Sequence, residues 1–190
     1  MAPRRQQEIF NTTLTLLAEK GYEGLTIEGV AGRAGVNKTT IYRWWPSKAA
    51  LLAEALVEAS MLDQPTPDTG SLRGDLEALT DNIVALLTAP PAADVAVAAL
   101  AAAAHRPELA ASAQRFFVDR FAREQPIFER AVARGELAKE ADPMTIMDMI
   151  AGAVWLRAVF RRQRVDREFV HRVVATALHG TTGPRSEVSG

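Results

Sequence analysis

The chain has 190 residues, 48% of them hydrophobic, with no cysteine and a formal net charge of −1 at pH 7. That share supports a buried core in one domain or two small ones, and the missing cysteines exclude disulfides and thiolate zinc sites and fit a reducing compartment. A net charge near zero argues against a general nucleic-acid binder, and the lack of a basic-then-apolar leader or an uninterrupted span of about 20 apolar residues predicts a cytoplasmic protein with no membrane partner.

Met1–Arg5 reads as a loose basic arm, frayed like most termini, whose Arg4 and Arg5 are within reach of phosphate. From Gln6 to Lys20 the apolar residues Ile9, Phe10, Leu14, Leu17 and Ala18 form one helical stripe, which Gly21 ends. The stretch LTIEGVAGRAGVNKTTIYRWWPSKAALL (25–52) then reads as two short helices, a tight turn between them, and entry into a third. Tyr22 and Leu25 are expected to pack beneath those two short helices. Thr26 caps a helix from Ile27 to about Ala34, with Ile27, Val30 and Ala31 inward. Gly35 permits an abrupt end, and Asn37 caps the next helix, Lys38 to about Trp44. Val36, Ile41 and Trp45 share the face that anchors it. The other face carries Lys38, Thr39, Thr40, Tyr42, Arg43 and Trp44. Cations and hydroxyls bind phosphate oxygens, and Arg or Lys reads guanine edges in the major groove, so this face suits double-stranded DNA. Pro46 stops the helix, Ser47 caps the next, and Lys48 adds charge to its N-terminus.

Together with the apolar helix before it, this segment resembles the DNA-binding domain of the TetR/AcrR family of transcriptional regulators. The residues that carry the resemblance are T-I-x-x-V-A-x-x-A-G-V-x-K-x-T-I-Y-x-x-W-x-S-K-x-x-L from Thr26 to Leu51. Lys38, Thr39 and Arg43 are assigned to base edges, and Thr26, Thr40, Tyr42, Trp44 and Lys48 to phosphates. Two residues depart from the pattern. Glu28 is an acid beside the phosphate face, and Gly29 sits inside a helix, where glycine costs about 1 kcal/mol relative to alanine. The charge distribution agrees. Residues 1–50 hold Arg4, Arg5, Lys20, Arg33, Lys38, Arg43 and Lys48 against Glu8, Glu19, Glu23 and Glu28, a net +3 that leaves −4 on the rest.

The helix from Ser47 carries Leu51, Leu52, Ala55, Leu56 and Ala59 inward and runs to about Met61. DQPTPDTGS (63–71) breaks the pattern. From Ser71 a stripe of Leu72, Leu76, Leu79, Ile83, Leu86 and Leu87 stops before Pro90 and Pro91. Residues 92–104 are an alanine-rich helix anchored by Val95, Val97 and Leu100, and His105-Arg106-Pro107 turns the chain. Glu108–Arg123 is amphipathic, with Leu109, Phe116, Phe117 and Phe121 inward. Pro126 is expected to break or kink it before a segment from Ile127 to Arg134 that ends at Gly135. Asp142 and Pro143 start a helix over Met144–Phe160 that is apolar on nearly every face. A helix apolar all round is buried all round, so its second face is expected to meet another copy of the chain. Asp166 caps the last helix, with Phe169, Val170, Val173, Val174, Ala177 and Leu178 in its stripe, and Gly180 ends it.

The reading is an all-α protein of about nine helices. It places a three-helix DNA-binding domain at 1–62 (motif about 26–45), a linker at 63–71, a helical ligand-binding and dimerisation domain at 72–180 and a disordered tail at 181–190. Ile150, Val154, Phe169, Val173, Val174 and Ala177 are assigned to a homodimer interface. The resemblance also implies a pocket for a small-molecule effector that loosens DNA binding. Phe116, Phe117, Phe121, Met147 and Trp155 are its candidate lining, with Arg157 or His105 as a polar group. The expected function is a homodimeric repressor released from a palindromic operator by that effector; the alternative is a small-molecule- or partner-binding helical protein without specific DNA recognition. The three histidines are scattered and no acid pair or nucleophile is placed for chemistry, so neither a metal site, a cofactor nor an enzymatic activity is assigned.

Overall fold

The computed structural model describes residues 5–59 and 65–179. Residues 1–4 of the arm, the expected helix end at Met61, Asp63 and Gln64 of the break, Gly180 and the tail 181–190 lie outside the described residues. Every regular element among the described residues is helical: α1 (Gln6–Gly24), α2 (Ile27–Ala34), α3 (Lys38–Trp44), α4 (Lys48–Val57), α5 (Leu72–Thr88), α6 (Ala92–Ala103), α7 (Pro107–Ala133), α8 (Pro143–Trp155), a π-helical turn (Leu156–Phe160) and α9 (Arg167–His179). They form two compact units, one of Met1–Pro65 with Ala85–Ala122, the other of Thr66–Val84 with Arg123–Gly190.

In the first unit α1 buries Ile9, Phe10, Leu14, Leu16 and Leu17. Its straight run ends at the expected glycine: Gly21 has φ 65° and ψ 179°, and only a short turn continues to Gly24. α1 packs on α2, α4 and α6. The alanine face of α6 (Ala93, Ala96 and Ala102, with Val95) is buried, and small side chains let two helix backbones approach closely. Trp45 is buried against Phe10 in an edge-on contact at 5.4 Å, and its indole N–H donates to Glu54 Oε2 at 2.7 Å. A buried indole needs such a partner, and Glu54 on α4 supplies it.

The second unit is built around Leu72, Leu76, Leu79, Ile127, Phe128, Ala131, Ile146, Ile150 and Val174, with Met147, Val173, Ala177 and Leu178 packed against them. Residues 65–68 form no helix, but they are tied down. Arg130 donates to Pro67 O at 2.7 Å, and its Nε lies 3.3 Å from Asp68 Oδ1, off the line of a hydrogen bond. The fully buried Asp75 carboxylate accepts from the Thr69 amide at 2.6 Å and hydroxyl at 2.8 Å and pairs with Arg130 at 3.4 Å. A buried carboxylate without such partners would cost several kcal/mol.

Three expectations change. α7 runs unbroken through Pro126. Proline has no N–H for the Ala122 carbonyl, but Ala122 is exposed, where water replaces the bond, and Ile127, Phe128 and Ala131 in the next turn are held in the core. The division between the two units falls at that same turn, between Ala122 and Arg123. Second, Ile150, Val154 and Val174, assigned to a homodimer interface, are fully buried within the chain itself. Periodicity found their face correctly but not its occupant, which is the chain's own core. The apolar residues of α8 and its π-helical extension that face outward are Met144, Met149, Leu156 and Phe160. Third, Met147, assigned to a ligand pocket, packs on the core. The run Pro143–Phe160 is apolar and long enough to cross a membrane by composition alone, but its Ile146, Ile150 and Val154 side is built into the helical packing.

Asp142 caps α8 through the Met144 amide at 3.0 Å, and Asp166 caps α9 through the Phe169 amide at 2.8 Å. Glu136 performs the same service at long range, accepting from the Leu72 amide at the start of α5 while Arg134 Nε donates to it at 2.9 Å. These bonds, the Arg134 guanidinium first and the Leu72 amide second, hold the Glu136 carboxyl below the usual range. A depressed carboxyl stabilises the fold above its unfolded-state pKa, and that contribution is lost as pH falls through the folded value. Acidification below the ordinary glutamate range is therefore expected to lower hydrogen-exchange protection, relative to the unfolded chain at the same pH, at the start of α5, and Glu136→Gln to flatten that dependence; equal profiles for the two proteins would exclude the cap.

Candidate DNA-binding site

The geometry of residues 26–48 follows from four local satisfactions. Thr26 Oγ1 accepts from the Gly29 amide at 3.0 Å, and Ser47 Oγ from the Ala50 amide at 3.1 Å. Gly29 has its reason here, since a Cβ would lie 3.0 Å from that threonine hydroxyl. Gly35 takes the left-handed conformation with φ 63°, which lets the Val36 amide close on Ala31 O at 3.0 Å. Asn37 Oδ1 accepts from the Thr39 amide at 2.9 Å and hydroxyl at 2.8 Å. Ile41 and Trp45 are buried, so α3 is pinned on one side and presents the other.

On that outer side Lys38, Thr39, Tyr42, Arg43 and Trp44 are exposed, and Thr40 is half-buried. Tyr42 and Trp44 leave 46% and 44% of their surface in solvent, unusual for rings on so short a helix and suited to a surface that meets a partner. The cations differ in how they are held. Lys38 Nζ lies 3.6 Å from Glu28 Oε1, and Arg33 pairs with Glu19 of α1. Arg43 forms no ion pair or hydrogen bond among the described residues.

Lys48 is held differently from the sequence expectation of an outward-facing cation. Its Nζ donates to Tyr22 O at 2.8 Å and sits 4.3 Å from the Tyr22 ring centre. The guanidinium of Arg106 lies against the same ring at 4.4 Å and pairs with Glu23. Tyr22 is thus a structural ring gripped by two cations, in line with its assignment to packing. Burial, first, and the charges of Glu108 and Glu23 push its hydroxyl pKa up, while Arg106 opposes them. Sequence reasoning missed Arg106 and Glu23, because no local periodicity links residues 83 apart. It also missed Arg5, which donates to Gly35 O at 3.1 Å and so ties the end of the arm to the helix turn.

The pocket candidates are divided between the two compact units. Phe116 and Phe117 touch edge-on at 5.5 Å and belong with Phe121 to the first unit; Met147 and Trp155 belong to the second. Phe117 is exposed, His105 is exposed, and Arg157 is engaged with Arg164 O at 2.9 Å and the Phe169 ring at 4.4 Å. An open cleft of 390 Å³ in the second unit is lined by Phe128, Glu129, Val132, Leu137, Lys139 and Pro143 among others, and by none of the five candidates.

Residues 9–55 match the bacterial regulatory proteins of the tetR family, and residues 66–177 match the tetracyclin repressor-like C-terminal domain. The chain belongs to the TetR family. Its relatives include the HTH-type transcriptional regulator YdeS of Bacillus subtilis, 30% identical over 174 residues that make up 90% of this chain and 87% of YdeS. The HTH-type regulator Rv1556 of Mycobacterium tuberculosis is 34% identical over 171 residues, 90% of this chain and 84% of that protein. Among solved structures, the TetR-family regulator SCO0332 superposes with a TM-score of 0.73 at 30% identity, covering 95% of this chain and all of the other. FadR of Bacillus subtilis, solved with stearoyl-CoA, shares the fold at a TM-score of 0.66 and 18% identity, over 92% of this chain and 98% of FadR. The TetR-family chain is a DNA-binding transcriptional regulator, and α2, the Gly35 turn and α3 form a helix-turn-helix arrangement within the residues that match the family. The Asn37 cap is the smallest handle on that motif. Asn37→Ala is expected to lose about 1 kcal/mol of stability and Asn37→Asp much less; equal thermal midpoints for wild type and Asn37→Ala would show that this side chain does not hold the start of α3.

Proposed function

We propose that the protein is a cytoplasmic homodimeric repressor that leaves a palindromic operator when a small molecule binds its C-terminal part. The observation that carries the DNA side is the exposed α3 face, where Arg43 has no competing partner among the described residues and Tyr42 and Trp44 stand in solvent. Lys38, Thr39 and Arg43 are assigned to base edges, and Thr26, Thr40, Tyr42, Trp44 and Lys48 to phosphates. In this state Thr26 Oγ1 accepts from the Gly29 amide and the Thr39 hydroxyl donates to Asn37 Oδ1. Lys48 reaches phosphate by leaving the Tyr22 carbonyl.

The homodimer rests on the outward side of α8 and its π-helical turn. Met149, Gly152, Leu156 and Phe160 recur at helical spacing and are exposed, with Phe169, Val173 and Ala177 of α9 only half-buried. Such a stripe is unfavourable in water, and a two-fold pair of these chains suits operators whose half-sites lie about 34–36 Å apart. The effector is assigned an apolar body held by Phe116, Phe117 and Phe121.

Arg43→Ala is expected to reduce discrimination between operator and random duplex by about ten- to a hundredfold, the worth of one bidentate base contact. Lys48→Ala should weaken both and shrink the salt slope by about 1. Gel shifts over the protein's own promoter region, at several salt concentrations and with candidate metabolites, read both; two inert substitutions would exclude this face. Leu156→Glu is expected to turn a dimer into a monomer in sedimentation, and a persistent dimer would move the interface elsewhere.

A further inference from the structure

We infer that Glu28 is a specificity-determining residue that withholds Lys38 from indiscriminate phosphate contact. This rests on the assignment of the α3 face to DNA. Glu28 is the sole acid between Leu25 and Lys48, and it stands in the first turn of α2 beside a surface that meets a polyanion. Its carboxylate lies 3.6 Å from Lys38 Nζ, with both side chains more than half exposed (58% and 57%). Lys38 is the first residue of α3, where a cation faces the positive end of the helix dipole, and the acid across the turn offsets that placement.

The exposure of the pair sets its strength. A solvent-exposed ion pair is weak, so it yields to a well-placed base contact but competes on equal terms with a loosely placed phosphate. On an operator, Lys38 leaves Glu28 for a base edge. On random duplex no base edge is in position, Lys38 stays with Glu28, and the complex lacks one counterion-releasing contact. Glu28 therefore depresses binding to random DNA more than binding to the operator, which widens the ratio between them. Arg43, which has no ion pair among the described residues, is left as the cation always offered to DNA.

The test uses the full chain, an operator enriched by the wild-type protein from a randomised duplex library, and random duplex of equal length. Glu28→Gln keeps the shape and removes the charge. It is expected to tighten random-duplex binding by about two- to fivefold and to steepen its salt slope by about 0.9. The gain on the operator should be smaller, and in a Lys38→Ala background the difference between the two DNAs should vanish. An unchanged random-duplex slope, or an equal gain with and without Lys38, would overturn the inference. So would a loss of operator affinity, which would make Glu28 a direct acceptor from cytosine N4. If Glu28→Gln is inert while Arg43→Ala abolishes selection, the DNA face stands and only this inference fails; if the wild type enriches no sequence, the reading of the face fails with it.

Discussion

The DNA-binding half of the molecule depends on three residues, Gly35, Val36 and Asn37. Two helices end and begin within that interval, and each end leaves backbone groups that need partners. Gly35 supplies them at one end by adopting φ 63°, and Asn37 at the other by accepting two hydrogen bonds from Thr39. Arg5 then closes the remaining Gly35 carbonyl. With the ends satisfied there is one angle at which α3 can leave α2. That angle turns Ile41 and Trp45 into the core and the Lys38–Trp44 face out.

The outward charge of this region is more guarded than its composition suggests. Arg33 is turned to Glu19, Lys38 to Glu28, and Lys48 to the Tyr22 carbonyl and ring. Only the last is shielded from solvent, and the exposed pairs are weak enough to yield to a well-placed contact. A regulator has to find one site among many that are nearly right, so a surface that holds its cations lightly in reserve favours selectivity over raw affinity.

What the sequence made legible was local. Each cap lies within three residues of the amide it serves, so Thr26, Asn37, Ser47, Asp142 and Asp166 were all readable from spacing, and so was the end of the straight α1 helix at Gly21. Helical period also found the faces of α8 and α9. It did not find their occupants: Ile150, Val154 and Val174 are used inside the chain, while Leu156 and Phe160 point out. Period reports which residues lie together, not what lies opposite. The unbroken α7 shows the same limit, because a proline's local penalty is outweighed by the burial of Ile127 and Phe128 beyond it. Contacts such as Glu23 with Arg106 or Arg130 with Asp75 join residues far apart in sequence and leave no local trace.

The packing of α6 on α1, and the closing of Arg106 on Tyr22, also bears on how the molecule is made. The first 62 residues look self-sufficient in sequence, yet the compact unit they belong to includes Ala85–Ala122. During synthesis the helix-turn-helix can form its caps as soon as it emerges. The outer side of α1 stays uncovered until some forty more residues have been added, a delay of seconds at ordinary elongation rates. A nascent chain halted in that interval would carry a capped α3 on an incompletely buried helix, a species for chaperones rather than for promoters.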